Sequence, residues 1–299
     1  MYALTGPTGV GKTALSLEVA EVLGADIISC DSRQVYRRLD IGTAKPTVDE
    51  RDRVPHHFID ELGVEESWSA GAFAEEANRR IQEVHTAERQ VLVVGGSTLY
   101  LHALAHGLSP LPPPDHALRN ELNAVAEKES GRSELYADLL RVDPEAAATL
   151  DPSKSQRLVR FLEVYRSSGR PASSFWKEAP TPMFNVRVIV LDRPRAALYA
   201  RIERRVDQML ADGLLAEVEA LSREGYNRDT TPSLRTIGYQ EPLAFLFGEV
   251  PYEAMLESLK RNTRRYAKRQ LTWFRRRPEY RWMPADSTVD RILGAFQEP

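Results

Sequence analysis

Cysteine is almost absent from this chain of 299 residues, in which Cys30 is the single one. One thiol cannot form an internal disulfide, and no Cys/His cluster has the spacing of a zinc site. Long apolar runs are absent as well, since none approaches the roughly 20 residues that a transmembrane helix needs. The first apolar stretch, YAL, leads directly into a glycine-rich loop and leaves no room for a signal peptide. These absences predict a cytoplasmic protein with no membrane association.

The glycine-rich loop GPTGVGKT occupies residues 6–13 and has the pattern of a phosphate-binding loop. Its glycines let successive backbone N–H groups point at phosphate oxygens, and the following helix adds its positive end. Lys12 would neutralise the terminal phosphates, and the Thr13 hydroxyl would ligate Mg²⁺. A chance match in a glycine-rich turn is the alternative. The loop lies between a predicted strand, YALTG, and a predicted helix, TALSLEVAEVLG, which is the context that the motif requires.

The metal-binding aspartate of many ATPases is missing where it would be expected. Most ATPases with such a loop have an apolar strand that ends in this aspartate. Here the obvious candidate, VLVVGGS, ends in Gly95, Gly96 and Ser97, and Asp192 closes a strand only much later in the chain. This absence argues against a hydrolytic, motor-type ATPase. The two glycines would instead allow the close approach of a ligand or of backbone.

Predicted strands alternate with predicted helices, which indicates an α/β fold with a P-loop NTPase-like parallel sheet flanked by helices. The proline cluster in LSPLPPPDH, residues 108–116, interrupts this pattern, and mainly helical sequence follows. We therefore expect a core of residues 1–110 and 183–299 with a helical insertion domain at 111–182. Ligands in such folds bind beyond the carboxyl ends of the strands. Lys12, Asp31 and Ser97 should converge there.

Asp31 is the last residue of the predicted strand ADIISCD and has three possible roles. It could ligate Mg²⁺, act as a general base, or cap a turn. Its expected position facing the phosphate-binding loop favours a functional role. Ser32 and Gln34 could hydrogen-bond a base edge, or could be ordinary polar residues of a loop.

Two arginines are candidates for holding anionic oxygens through bidentate hydrogen bonds. Arg205 lies in RIERRVDQML and Arg235 in PSLRTIGYQE. Because Arg205 has several charged neighbours, a solvated helix face is the alternative for it.

Positive charge is concentrated in one segment. Residues 260–281, KRNTRRYAKRQLTWFRRRPEYR, contain ten Lys or Arg and one Glu, although the whole chain has a net charge of −3. Arg261, Arg264, Arg265 and Lys268 have the spacing of one helical stripe. Such a stripe with interleaved aromatics suits phosphate contacts and base stacking. The alternative is a solvated helix whose aromatics pack inward; we expect the aromatics mainly in the core and the arginines facing RNA.

The motifs taken together resemble those of the bacterial tRNA dimethylallyltransferase family, also called tRNA isopentenyltransferases. They occur in order along essentially the whole chain: GPTGVGKT (6–13), DSRQVYRRLDIGTAKP (31–46), PHHFID (55–60), VVGGSTLYLHAL (93–104), QRLVRFLEV (156–164), PSLRTIGYQE (232–241) and KRQLTWFRR (268–276). The resemblance implies transfer of the five-carbon prenyl group of dimethylallyl diphosphate to the exocyclic amine of the adenosine at tRNA position 37. It also implies Mg²⁺ as cofactor and the anticodon stem-loop as partner. We expect a monomer.

The resemblance also implies roles for individual residues. Asp31 would be the general base, Arg205 would steady the diphosphate, and Ser97, where the family commonly has threonine, would hydrogen-bond the base or its neighbour. The diphosphate would be bound by Gly6, Pro7, Thr8, Gly9, Val10, Gly11, Lys12 and Thr13, with Thr13 at the metal. Contacts with tRNA are expected from Asp31, Ser32, Arg33 and Gln34, from Gln156, Arg157, Leu158, Val159 and Arg160, and from Arg235, Arg264, Arg265, Lys268 and Arg269.

Three other functions share some of these features. An adenylate-type isopentenyltransferase would have the loop and Asp31, but little need for the insertion or the basic segment. A nucleotide kinase would bind ATP in the loop and move a phosphoryl group. A non-catalytic RNA-binding protein would have a loop without activity.

Overall fold

The computed structural model describes residues 1–151, 155–178 and 182–298. The chain divides into two compact units, one made of Met1–Ala105 with Pro182–Pro299 and the other of His106–Thr181. The second unit is thus an insertion between two parts of the first. In the described part of the chain, no helix combines the length and the apolar character that crossing a membrane requires.

The first unit contains a six-stranded sheet, and the α/β prediction is confirmed. Its strands are β1 (Tyr2–Thr5), β2 (Ala25–Ser29), β3 (His56–His57), β4 (Gln90–Gly95), β5 (Arg187–Asp192) and β6 (Arg281–Pro284). All neighbours pair in parallel, in the order β3-β2-β4-β1-β5-β6. Because β2, β4 and β1 are adjacent, the residues that follow them meet at one edge of the sheet.

Both faces of this sheet are covered by packed side chains. Successive side chains of a strand point to opposite faces, so neighbouring residues belong to different cores. Ala3 and Val190 belong to one hydrophobic core, whereas Leu4 and Leu191 belong to the other. This explains why the strands are nearly continuous apolar runs, as is typical of parallel sheets. The helices of this unit are α1 (Lys12–Leu23), α2 (Val48–Arg53), α3 (Ala70–Thr86) and α4 (Thr98–His106) before the insertion.

The inserted unit is helical. It contains α5 (His116–Ala126), α6 (Glu129–Val142), α7 (Pro144–Ala148), α8 (Ser155–Ser168) and a 3-10 helix, Ala172–Lys177. Its own core includes Leu122, Leu139 and Leu162. After the insertion the first unit continues with α9 (Arg195–Ala211), α10 (Leu214–Arg223), a 3-10 turn (Pro232–Leu234), α11 (Gln240–Leu246), α12 (Tyr252–Phe274) and α13 (Val289–Gln297).

Glycine sets both ends of α1, the helix that follows the phosphate-binding loop. The helix begins after Gly11, whose φ of 109° is unfavourable for other residues. It ends at Gly24, with φ 59°, whose N–H donates to the carbonyls of Ala20 and Glu21. The first N–H groups of α1 therefore remain available at the carboxyl edge of the sheet.

Candidate active site

A cavity of about 460 Å³ lies where the loops after β1, β2 and β4 meet, and we call it the phosphate cavity. Lys12 and Asp31 border it, and so do Gly95, the last residue of β4, and Gly96, which follows it. The convergence expected from the strand order is therefore present for Lys12 and Asp31. The cavity is also bordered by Thr8, Thr13, Arg193, Arg201, Arg205, Tyr266 and Gln270.

The Lys12 ammonium lies folded back on its own loop. Nζ donates hydrogen bonds to the carbonyl oxygens of Gly6, at 2.9 Å, and Pro7, at 3.1 Å. Burial, together with the positive charge of Arg205, lowers the pKa of Lys12 to about 8, while Asp31 acts in the opposite direction. A phosphate anion in the cavity would restore the protonated form, because it supplies the charge that burial removes.

Three arginine side chains border the same cavity, and none pairs with a carboxylate among the described residues. Arg201 Nε donates to the Gly9 carbonyl at 3.0 Å, and Arg193 Nε donates to the Val10 carbonyl at 3.4 Å. Arg205 is half-buried, and burial lowers its pKa. Cations without a counter-ion around a phosphate-binding loop create a site for a polyanion. The sequence pointed to Arg205, but nothing in the sequence distinguished Arg193 and Arg201 from their charged neighbours.

Asp31 has one of the three roles that the sequence left open, that of a turn cap, and it also lies at the phosphate cavity. Its Oδ1 accepts hydrogen bonds from the backbone N–H groups of Arg33, at 2.9 Å, and Gln34, at 3.4 Å. The side chain thus caps a turn and also borders the phosphate cavity. Within the described residues its hydrogen bonds involve Oδ1 alone, so Oδ2 can interact with a ligand.

A second cavity, of about 240 Å³, adjoins the first, and we call it the apolar pocket. Asp31, Arg205 and Tyr266 border both cavities. The rest of its wall is mixed: five apolar side chains, Ile202, Val206, Met209, Ile237 and Leu259, give the pocket its name, and Thr8, Ser32, Arg33, Gly42, Thr43, Thr236, Gly238 and Thr263 complete it. The Asp31 carboxylate therefore lies between a cationic cavity and a smaller pocket with five apolar side chains in its wall.

Gln270, which the sequence did not single out, connects α12 to the phosphate-binding loop. Its Oε1 accepts the backbone N–H of Thr8 at 2.9 Å, and its Nε2 donates to the Gly96 carbonyl at 2.7 Å. The side chain is only 3% exposed. A Cβ on Gly96 would lie 2.6 Å from Gln270 Nε2, so a side chain there would displace the Gln270 amide. The motif KRQLTWFRR was assigned to RNA, yet its glutamine belongs to the phosphate side.

Gly95 and Ser97 support the Asp31 turn rather than bordering the cavities with side chains. A Cβ on Gly95 would lie 2.0 Å from the Cys30 carbonyl oxygen, so the close approach expected of this glycine is to backbone. The Ser97 hydroxyl accepts the N–H of Ser32 at 2.9 Å, and Ser97 is 7% exposed. Ser97 therefore supports the turn that contains Asp31 and does not contact the base as predicted.

Gln34 is also occupied within the protein. Its Nε2 donates to the carbonyls of Thr43, at 3.3 Å, and Ala44, at 3.1 Å, and its Oε1 accepts from Ser29 Oγ. Gln34 borders the phosphate cavity but fastens one loop to another. Its amide is therefore already hydrogen-bonded and does not face a base edge as one of the two predictions for it required.

The basic segment begins within α12, contains the whole second half of this helix and continues beyond its end. Arg264 pairs with Glu203 at 2.6 Å and Lys260 with Asp207 at 2.5 Å, so these two cations fasten α12 to α9. The exposed cations Arg265, Lys268 and Arg269 border a shallow pocket of about 420 Å³ with Thr272, Trp273 and Arg276. This surface, and not Arg264, has the free charge that a nucleic acid needs.

The remaining residues expected at tRNA divide into exposed and engaged ones. Arg235 is exposed, and its guanidinium donates to the carbonyls of Arg228, at 2.6 Å, and Asp229. In α8, Leu158 and Val159 are 1% and 2% exposed in the core of the inserted unit, so their side chains are not accessible to tRNA, contrary to the prediction.

Of the other three residues of α8 expected at tRNA, two are exposed and one is bound within the inserted unit. Gln156 and Arg157 are exposed. Arg160 pairs with the fully buried Glu163 at 3.1 Å and donates to the Pro112 carbonyl at 2.6 Å. Arg160 thus stabilises the inserted unit.

The site fits a divalent cation only with help from a ligand. Among the described residues, no three His, Cys, Asp or Glu side chains cluster as a metal site. The exposed Thr13 borders the phosphate cavity beside Lys12. Mg²⁺ often keeps several waters and takes one or two protein ligands plus phosphate oxygens. Thr13 together with a bound diphosphate fits that pattern.

Known proteins give consistent matches. Residues 34–277 match the IPP transferase family. The tRNA dimethylallyltransferase of Salinibacter ruber is 53% identical, over 96% of this chain and 89% of its own, and that of Chlorobium phaeobacteroides is 44% identical, over 95% and 91%. The full-length tRNA isopentenylpyrophosphate transferase of Bacillus halodurans has a TM-score of 0.72 and 38% identity, over 99% of this chain and 96% of its own. A eukaryotic dimethylallyltransferase, solved in crystallographic snapshots of its action on tRNA, has a TM-score of 0.83 and 27% identity, over 98% and 77%.

Proposed function

The chain belongs to the IPP transferase family, and on that premise we propose that it is a tRNA dimethylallyltransferase. The proposed reaction moves the dimethylallyl group of dimethylallyl diphosphate to the exocyclic amine of the adenosine at tRNA position 37, with release of diphosphate. The observation that carries the proposal is the position of Asp31 between the cationic phosphate cavity and the apolar pocket.

The phosphate cavity suits the leaving group. An allylic carbon develops cationic character as its bond to oxygen breaks, so the reaction depends on stabilising the departing diphosphate. The N–H groups at the start of α1, the Lys12 ammonium and the Arg205 guanidinium would share this negative charge. No phosphoryl group moves, so the missing strand aspartate of ATPases has no task here.

The apolar pocket suits the dimethylallyl group beside Asp31. The adenine amine is a poor nucleophile, because its lone pair is conjugated with the ring. As the nitrogen–carbon bond forms and the carbon–oxygen bond breaks, Asp31 takes one proton from the amine. Oδ1 holds the turn, so Oδ2 is the oxygen that we assign to this proton.

We propose Mg²⁺ as the cofactor, with Thr13 as its protein ligand. When bound, the ion would add positive charge to the diphosphate oxygens and so favour their departure. Lys12, Arg193, Arg201 and Arg205 orient and neutralise the diphosphate independently of it.

The exposed cations of α12 suit the tRNA. Arg265, Lys268 and Arg269 can contact phosphates without first losing an internal ion pair. Helix α12 also brings Tyr266 to the border of both cavities. The acceptor base must leave its stack to reach Asp31, at a cost of roughly a few kcal/mol.

One assay separates this proposal from its rivals. The protein is incubated with labelled dimethylallyl diphosphate and ATP, together with either tRNA or AMP. We expect the prenyl label in tRNA. Label in AMP alone would indicate an adenylate-type enzyme, and phosphorylation by ATP would indicate a kinase. No transfer, with Asp31→Ala identical to wild type in every activity, would indicate a non-catalytic RNA-binding protein.

A further inference from the structure

One carboxylate, Glu217 on α10, receives an unusual set of hydrogen bonds. It accepts the backbone N–H groups of three consecutive residues: Asp40 at 3.2 Å, Ile41 at 2.8 Å and Gly42 at 3.3 Å. It also accepts the hydroxyl of Tyr239 at 2.7 Å. Successive N–H groups that converge on one anion form the kind of concavity in which proteins bind phosphate. Here a side chain of the protein occupies it.

Glu217 has no ion-pair partner in the described part of the chain. Its charge is therefore balanced by oriented N–H and O–H dipoles, which act over short distances and depend on geometry. Tyr239 is fully buried. Burial and the neighbouring carboxylate raise the pKa of Tyr239, so its hydroxyl remains a donor throughout the ordinary pH range. The pair thus holds residues 40–44, which we call the 40–44 loop, in one position.

The far end of the 40–44 loop reaches the candidate active site. Thr43 and Ala44 border the phosphate cavity, and their carbonyls accept from Gln34, three residues after Asp31. Gly42 and Thr43 also border the apolar pocket. The loop is therefore fastened on one side by Glu217 and on the other by Gln34.

Close packing fixes the loop against the segment that carries Tyr239. A Cβ on Gly42 would lie 2.5 Å from Tyr239 Cε2. A Cβ on Gly238, whose φ is +98°, would lie 2.7 Å from the Gly42 carbonyl oxygen. Both glycines border the apolar pocket, so this part of its wall has no side chains that could move aside.

We propose that Glu217 and Tyr239 are positioning residues that hold the 40–44 loop as a rigid wall and thereby limit the length of the prenyl donor. This inference rests on the proposed function, in which the apolar pocket receives the dimethylallyl group. Added methylenes gain apolar burial, so an apolar pocket rejects a longer chain only where its wall cannot yield. Glu217 and Tyr239 supply that rigidity without touching the substrate.

The test compares two donors, dimethylallyl diphosphate and geranyl diphosphate, each with the same tRNA. Tyr239→Phe removes only the hydroxyl and keeps the ring against which Gly42 packs. Glu217→Ala removes both acceptor oxygens, and Glu217→Gln keeps one of them. Glu219→Gln is the matched control, because Glu219 lies on the same helix but pairs with Arg223 at 2.7 Å.

The quantity compared is the ratio of kcat/KM for the five-carbon donor to kcat/KM for the ten-carbon donor. We expect this ratio to fall by about tenfold in Tyr239→Phe, and further in Glu217→Ala, because discrimination by an apolar pocket typically amounts to about 10- to 200-fold per methylene. Glu217→Gln should recover part of the ratio, and Glu219→Gln should keep all of it. Equal losses for both donors, with the ratio unchanged in variants that melt like wild type, would overturn the inference. If wild-type protein transfers neither group to tRNA, the proposed function itself fails.

Discussion

Gln270 connects the helix assigned to tRNA with the loop assigned to diphosphate, and replacing it tests that connection. Gln270→Leu has similar volume but neither donor nor acceptor. It would leave the Thr8 N–H and the Gly96 carbonyl without their present partner. The two groups should not contribute equally. The bond from the Thr8 N–H is only partly buried, so water can replace the missing acceptor, whereas the bond to the Gly96 carbonyl is buried.

The expected loss of stability follows from this difference. A buried polar group left without a partner costs about 1–3 kcal/mol, and a group that water reaches costs much less. We therefore expect the free energy of unfolding to fall by about 2 kcal/mol. With a urea m-value of about 2–3 kcal/mol/M, the midpoint would shift by roughly 0.7–1 M. Gln297→Leu, at an exposed position of α13, should change stability by less than about 0.5 kcal/mol.

Urea unfolding and steady-state kinetics together check this reasoning. Because the phosphate-binding loop loses its fastening at Thr8, KM for dimethylallyl diphosphate should rise in Gln270→Leu. Gln270→Glu keeps an acceptor for Thr8 but cannot donate to Gly96, and it places negative charge beside the diphosphate. It should therefore raise KM more than Gln270→Leu does. A midpoint shift below roughly 0.2 M together with unchanged KM would refute the structural role assigned to Gln270.

Three further predictions concern the chemistry and the RNA surface. Asp31→Asn keeps an Oδ1 for the Arg33 and Gln34 amides but cannot take a proton, so turnover should fall by roughly 10²- to 10⁴-fold. Calorimetry should show that this variant binds inorganic diphosphate as the wild type does. Loss of that binding would indicate a metal role for Asp31. Since a phosphate anion binds best to protonated Lys12, whose pKa is about 8 in the free protein, affinity for inorganic diphosphate should weaken as pH rises through that value. In Lys12→Arg, which stays protonated, this part of the pH dependence should vanish, and an identical profile in both proteins would contradict the assignment. Lys268→Glu with Arg269→Glu should weaken tRNA binding and flatten its dependence on salt by about one logarithmic unit of slope for each phosphate that the protein no longer neutralises, whereas Arg291→Glu on α13 should leave the slope unchanged.

The sheet could be predicted from the sequence because each of its rules is local. Apolar runs such as RQVLVVGG have strand length and end in glycine, and the helix that begins at Lys12 ends at Gly24 as expected. The phosphate-binding loop is a contiguous motif, so its residues are found together. Asp31 could be placed because parallel strands end at a common edge.

The residues that the sequence left out act through contacts between distant segments. Gln270 and Thr8 are separated by 262 positions, and Glu217 and Ile41 by 176. No local pattern reveals which glutamine in a basic helix turns inward. In α8 the motif QRLVRFLEV predicts tRNA contacts for consecutive residues. A helix in a globular unit buries one face, however, so consecutive residues cannot all contact a ligand. Leu158, Val159 and Arg160 belong to that buried or engaged side, whereas Gln156 and Arg157 do not.

The number of positive charges in a segment does not predict which of its cations can bind an anion, because ion pairs between distant segments neutralise some of them. Arg193, Arg201 and Arg205 lack carboxylate partners in the described structure and border the phosphate cavity. Arg264 and Lys260, from the most basic stretch of the chain, have their charge neutralised by Glu203 and Asp207. An exposed ion pair adds little stability, about 0–1 kcal/mol, but it withdraws a cation from any other anion. Anion binding is therefore expected from the cations that folding leaves without a carboxylate partner. Two groups of such cations lie at the phosphate cavity and on the exposed face of α12, and Gln270 joins α12 to the loop between them.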